Sequence, residues 1–135
     1  MEQHEDSGNL KDLALVRLEH AEEDLKAAEN NLSDNLYRAA NNRAYYSIYH
    51  SITAVLALEN KAFKKHKDTI GYFNQTYVKS NIFPRELGHR ISIAEEIRHN
   101  SDYDDFYIVN KQETEKQIET AKLFLQAVKD FLLSK

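Results

Sequence analysis

Residues 36–58 read LYRAANNRAYYSIYHSITAVLAL. Tyr37, Ala40, Ala44, Ile48, Ile52 and Val55 recur at helical spacing, and Tyr45, Tyr49 and Leu56 widen that stripe. Arg43, Tyr46 and His50, at i, i+3 and i+7, form a second line on the far side. A helix apolar or aromatic over so much of its circumference is either central to a bundle or turned toward a second subunit. The flanking segments agree with a bundle. From Leu10 to about Leu32 the seam Ala14, Leu18, Ala21, Leu25, Ala28, Leu32 predicts an amphipathic helix. Ser33-Asp34-Asn35 then offers N-cap chemistry for the helix at 36–58. Beyond the polar link Asn60 to Lys67, a shorter helix is expected from about Asp68 to Lys79, carrying Ile70, Phe73, Tyr77 and Val78. Pro84 suits the first turn of the next, whose Leu87, Ile91, Ala94 and Ile97 keep the period until it frays near Asn100-Ser101. After the acidic loop Asp102-Tyr103-Asp104-Asp105, a last helix runs from about Lys111 to Leu133. The expected fold is all-α: an up-and-down four-helix bundle with an additional short helix. One domain should fill residues 9–134, behind a loosely ordered stretch at 1–8.

Composition narrows the function classes. A chain of 135 residues, 41% hydrophobic, can bury roughly 68% of its unfolded surface without staples. Three Gly and one Pro are too few turn formers for a sandwich or barrel. The absence of cysteine excludes a disulfide framework, a zinc ribbon and a thiol nucleophile, and fits a cytoplasmic setting. The opening residues, with three acids and no apolar run, do not resemble a signal peptide. Ile52 to Leu58, the longest aliphatic stretch, is far too short to span a bilayer, so no membrane association is expected.

Charge is unevenly placed. The chain is −4 overall, yet residues 60–99 hold 8 basic and 4 acidic side chains. A local basic block that includes Lys64, Lys65, Arg90 and Arg98 is what binding a phosphate at one face requires, whereas the net acidity argues against coating DNA. Gly-rich phosphate loops are missing, as is any His pair at i+3 or i+4, so neither a nucleotide-binding P-loop nor a helical zinc site is expected and no cofactor is called for. The segment Arg98-His99-Asn100-Ser101-Asp102-Tyr103 sets a guanidinium at a helix end. If the helix continues, Asp102 at i+4 can pair with Arg98 and fix its fork for bidentate contact with a phosphate. The stripe of Arg43, Tyr46 and His50 would then face Arg98 across the bundle or from another subunit.

The run Asn42 to His50, then His66-Lys67, Phe73 to Lys79, Arg98-x-x-x-Asp102-Tyr103 and Ala121-x-x-Phe124-Leu125-x-x-Val128 resembles, over about residues 8–133, the prokaryotic HEPN family, in particular its small stand-alone UPF0332 members. The resemblance implies a helical bundle, commonly a homodimer, often encoded beside a minimal nucleotidyltransferase as a toxin–antitoxin pair. It also implies RNA or nucleotide as ligand, because many members are metal-independent endoribonucleases whose Arg-x(4–6)-His motif sits in a cleft completed by two subunits. Here positions 103, 104 and 105 are Tyr, Asp and Asp, so only Arg98 of that motif carries over. The candidate catalytic residues are therefore Arg98, Asp102, Tyr103 and His50. Candidate binding residues are Arg43, Tyr46, Lys64, Lys65, Arg90 and Arg98, and the competing reading is a non-catalytic nucleotide-binding or partner-docking module. Tyr103 and Tyr107 are the acceptors that the resemblance implies for modification by a partner transferase.

Overall fold

The structure, a computed structural model, describes the backbone of residues 2–135 and the side chains of residues 9–135. The expectation of a loosely ordered stretch at 1–8 falls on residues whose side chains lie outside that description. Five helices follow one another: α1 (Glu2–Ser33), α2 (Tyr37–Ala57), α3 (His66–Phe73), α4 (Arg85–Tyr103) and α5 (Lys111–Leu133). No strand occurs among the described residues, so the all-α bundle with one short helix is the observed architecture.

The α2 helix is the centre. It packs against α1, α3, α4 and α5, and thirteen of its residues are buried. Small residues allow this. Ala14, Ala21 and Ala28 on α1 and Ala40, Ala44, Ser47 and Ser51 on α2 are buried, and Ser47 Oγ donates to the carbonyl of Ala21 at 2.8 Å. Ile48, Ile52 and Val55 meet Phe73, Ile91, Phe124 and Val128 in a single core. Truncating one of the fully buried phenylalanines to Ala would cost about 3–5 kcal/mol. Asn41 ties α2 to α5 by donating from Nδ2 to Thr114 Oγ1.

Four local expectations change. Ser33-Asp34-Asn35 does not cap α2, whose N-cap is Leu36 with no side-chain bond; instead Asn35 takes φ 63°, the left-handed geometry that ends α1. The short helix starts earlier, at His66, and widens at its C-terminal end into a π turn, Asn74–Val78. The α4 helix does not fray at Asn100 but holds to Tyr103, which keeps Asp102 in helical register with Arg98. Pro84 stands at the N-cap of α4 rather than inside its first turn.

Candidate functional site

Tyr46 is the hub of a cluster built from four helices. The Arg43 guanidinium lies 5.2 Å and the Arg98 guanidinium 5.7 Å from its ring centroid, within cation–π range. The His66 ring stands edge-on at 5.7 Å and the His50 ring at 6.0 Å. Arg43 and His50 lie on the same line of α2 as Tyr46, about one turn from it on either side, so the stripe legible in the sequence is real. Arg98 arrives from α4 and His66 from the first turn of α3, which the Lys-rich link positions.

Each member is held by a different contact. Arg98 Nη2 donates to Tyr46 Oη at 3.4 Å, and Arg98 Nε lies 3.5 Å from Asp102 Oδ2, the i, i+4 pair expected if α4 continued. That approach is longer than a hydrogen bond, and Nε has no hydrogen-bond partner among the described residues. With its side chain 31% exposed, the guanidinium is oriented without being consumed by an internal ion pair. Burial pulls its pKa down, but Tyr45, Tyr46 and Asp102 outweigh that and move it up, so Arg98 stays cationic.

Asp24 of α1, absent from the sequence-derived candidates, organises the other flank. One carboxylate oxygen accepts from Arg43 Nη1 at 3.0 Å and the other lies 2.7 Å from His50 Nδ1. His66 is fixed by stacking on Tyr49 at 4.0 Å and by a 3.0 Å contact between its Nδ1 and Tyr45 Oη. Burial, then the positive charges of Arg98 and His50, lower the His66 pKa, so it is uncharged at neutral pH. Burial raises the Tyr45 pKa, keeping its hydroxyl protonated beside that imidazole.

Two hollows adjoin the cluster. A recess of about 30 Å³ beside Arg98, lined also by Arg38, Asn41 and Ser101, has the size of one water and is too small for a phosphate. An open cleft of about 270 Å³ lies on the His50 side between α1, α2 and the link, and is lined by Arg17, His20, Tyr49, His50, Lys61 and Phe63, among others. A larger hollow of about 570 Å³ between α4 and α5 is lined by Glu86, Arg90, Ile93 and Glu119, among others. It shares no residue with the tyrosine cluster.

The remaining candidates separate. Arg90 pairs with Glu86 one turn back on α4 and reaches Glu119 and Thr120 on α5, and it is not brought to Arg98. Lys64 and Lys65 are exposed at the start of α3, next to His66 in sequence. Tyr103 is 79% exposed and leans on His99, with ring centroids 4.8 Å apart, rather than entering the cluster. The Tyr107 hydroxyl donates to Glu113 at 3.1 Å. The aromatic face of α2, which suggested a second subunit, is largely taken up within the chain: Tyr45 is buried, and His66 stacks on Tyr49. Large exposed apolar side chains lie instead on the α4–α5 loop, where Phe106 is 91% and Ile108 82% accessible.

No helix among the described residues is long and apolar enough to cross a membrane, and no three His, Asp or Glu side chains among them converge as a metal site. The family model described as HEPN domain matches residues 14–131. The chain is 32% identical over 87% of its length to "Putative toxin MJ0142" of Methanocaldococcus jannaschii, of which the match covers 80%. It is 34% identical over 85% of its length to "Putative toxin MJ0605" of the same organism, with 85% of that relative covered. A UPF0332 protein of Thermotoga maritima is 28% identical over 83% of this chain and 85% of its own.

Proposed function

The chain belongs to the HEPN domain family, and from that premise we propose that it is a toxin-type member that binds RNA through the Arg98–Tyr46 cluster. The observation that carries this reading is the crowding of two guanidinium groups and two imidazoles around one half-exposed phenol ring. Single-stranded RNA presents unstacked bases and an anionic backbone, and is held by aromatic platforms beside cations. Arg98, oriented by Asp102 and Tyr46, would hold a phosphate. Arg43 would face its neighbour, and Lys64 and Lys65 would follow the strand beyond His66. The toxin role is supported by the names of the two Methanocaldococcus relatives.

The test is fluorescence anisotropy with an unstructured RNA oligonucleotide. Binding should weaken at least tenfold in Arg98→Ala and in Tyr46→Ala, a loss of about 1.4 kcal/mol each. Expression of the wild type should arrest growth and Arg98→Ala should relieve it. Unchanged affinity in both variants would sink the reading.

A partner is part of this proposal. Tyr103, on the exposed end of α4 beside Asp102, is an accessible phenol, whereas the Tyr107 hydroxyl is committed to Glu113. A minimal nucleotidyltransferase acting as antitoxin would modify Tyr103 in preference to Tyr107, and mass spectrometry after incubation with such an enzyme reads the site. The exposed Phe106 and Ile108 support a homodimer, which sedimentation at micromolar concentration checks. Without such a partner the same groove would serve as a non-catalytic nucleotide-binding module, which binds RNA and leaves growth unaffected.

A further inference from the structure

Three buried polar atoms where α2 meets α4 find no hydrogen-bond partner among the described residues: Asn41 Oδ1, Arg98 Nε and Ser101 Oγ. Their residues line one hollow, the recess of about 30 Å³ beside Arg98. The Asn41 amide is oriented by its other contacts. Its Nδ2 donates to the carbonyl of Tyr37 at 3.0 Å and to Thr114 Oγ1. The Tyr37 carbonyl can only accept, and the Thr114 hydroxyl spends its proton on the carbonyl of Asn110, so the nitrogen is fixed on that side and Oδ1 is left as an acceptor. Ser101 is free in a matching way. On the same helix Ser92 donates to the carbonyl of Gly88 four residues back, whereas the Ser101 hydroxyl makes no such bond. Arg38, which also lines the recess, donates to the carbonyls of Ser101 and Tyr107 and holds the end of α4 against α2. Buried polar groups in folded proteins are rarely left without a partner, so three at one recess point to an occupant.

We infer that this recess binds one water molecule, and that Asn41 and Ser101 use it to position the Arg98 guanidinium. Donors and acceptors balance. The water accepts from Arg98 Nε–H and from the Ser101 hydroxyl, and donates one proton to Asn41 Oδ1. Its second proton serves Asp102, whose carboxylate also lines the recess, a set of partners usual for an internal water. A metal cation would meet two guanidinium groups, Arg38 and Arg98, and an anion would meet Asn41 Oδ1 and the Asp102 carboxylate. A neutral molecule that both donates and accepts suits the set. Asn41, tied to α5 through Thr114, thereby reaches Arg98 at Nε, while Tyr46 accepts from its Nη2. Two of the three guanidinium nitrogens are then set by α2, and a phosphate meets a fork already aimed. Asn41 and Ser101 are positioning residues that touch no ligand themselves. Their effect on RNA rests on the binding reading above; the water does not.

The experiment reads the Arg98 Nε–H proton by NMR in the isotope-labelled full chain, assigned by its loss in Arg98→Lys. The wild type should show a rotating-frame cross-peak from this proton to water, of sign opposite to the diagonal, the mark of a bound water rather than of proton exchange. Asn41→Leu removes the acceptor. Ser101→Val fills the recess with methyl groups, leaves the Asn41–Thr114 bond in place, and keeps the test open should Asn41→Leu fail to fold by circular dichroism. Each variant should abolish the cross-peak and speed exchange of Nε–H at least about tenfold. Ser51→Ala, which deletes another unpartnered hydroxyl of α2 outside the recess, should keep the wild-type signal. Replacing chloride by bromide should not move it. In anisotropy, RNA affinity should fall about three- to tenfold in either recess variant, and Asn41→Leu should add less than about twofold to the loss in Arg98→Ala, which leaves nothing to position. No cross-peak in the wild type, a cross-peak that survives both variants, or a saturable shift with bromide overturns the water. Additive losses of affinity in the double variant overturn the positioning role. A wild type that binds no RNA sinks the binding reading, and the cross-peak still decides the water.

Discussion

His66 titrates below its ordinary value of 6.5, first because of burial and then because Arg98 and His50 repel a further positive charge. Between that depressed value and 6.5 the unfolded chain binds more protons than the folded one. Its contribution to stability is therefore complete above 6.5 and is lost as pH falls through the folded value. Glu95 works in the other sense: burial raises its pKa, so the folded form holds a proton that the unfolded chain releases. His66→Gln removes the first effect and keeps the second. The urea midpoint of the wild type should thus fall further than that of His66→Gln between pH 7.5 and 5.5, and parallel profiles would show that the ring is not held neutral. The Arg43, Tyr46 and His50 stripe was readable because it follows from helical periodicity alone, and so was the Arg98–Asp102 pair. Asp24 was not, because it sits among Glu19, Glu22 and Glu23 and reads as one more solvated acid. Its place on the edge of the Ala21, Leu25, Ala28 seam was the available signal: burial there demands a partner, and Arg43 and His50 supply it.

The spacing of apolar residues named every helix, but what happens at helix ends depends on contacts that spacing does not record. The π turn after α3 is one such place: Phe73 and Tyr77 pack on Phe83, and Phe73 also meets Phe124. Those long-range contacts, not local propensity, fit the extra residue of the widened turn. The same packing separates two glycines that look alike in the sequence. A Cβ at Gly71 would meet nothing within 4 Å, so Gly71→Ala should raise stability by about 0.5–1 kcal/mol through lower backbone freedom. A Cβ at Gly88 would lie 3.0 Å from Val78 Cγ1 and 3.4 Å from Asn74 Oδ1, where α4 crosses the π turn. Val78 is β-branched and stiff, so overpacking outweighs the helix gain and Gly88→Ala should lose about 1 kcal/mol. At the start of α5, Asn110 accepts from the Glu113 N–H at 2.8 Å while the Glu113 side chain reaches back, a full capping box. Asn110→Ala should cost about 1 kcal/mol, and equilibrium urea unfolding reads all three variants on one scale.

To bind RNA as proposed, an acidic protein must set a local field against its own net charge, and the fold determines how. The chain carries −4, so at long range it repels a polyanion; attraction begins only within about a Debye length, roughly 8 Å at physiological salt. Within that distance the useful cations are those left without acidic partners. Arg90 is spent on Glu86 and Glu119 across α4 and α5, although the sequence counts it with the rest of the basic block. Arg43 is shared with Asp24, whereas Arg98, Lys64 and Lys65 border the cluster and, among the described residues, make no close ion pair that would neutralise them in full. Each phosphate they neutralise should add about −0.7 to the slope of log affinity against log salt for a single strand. Three to four such contacts give a wild-type slope of about −2 to −3. The double variant Lys64→Gln, Lys65→Gln should flatten it by about 1.4, and Arg98→Gln by about 0.7. Arg90→Gln should leave the slope where it is, since its charge is already balanced inside the bundle. Salt titrations of the four proteins against one RNA decide the matter: a loss on Arg90→Gln as large as on the lysine pair would move the binding face from the Tyr46 groove to the hollow between α4 and α5, and a flat wild-type slope would rule out phosphate contacts altogether.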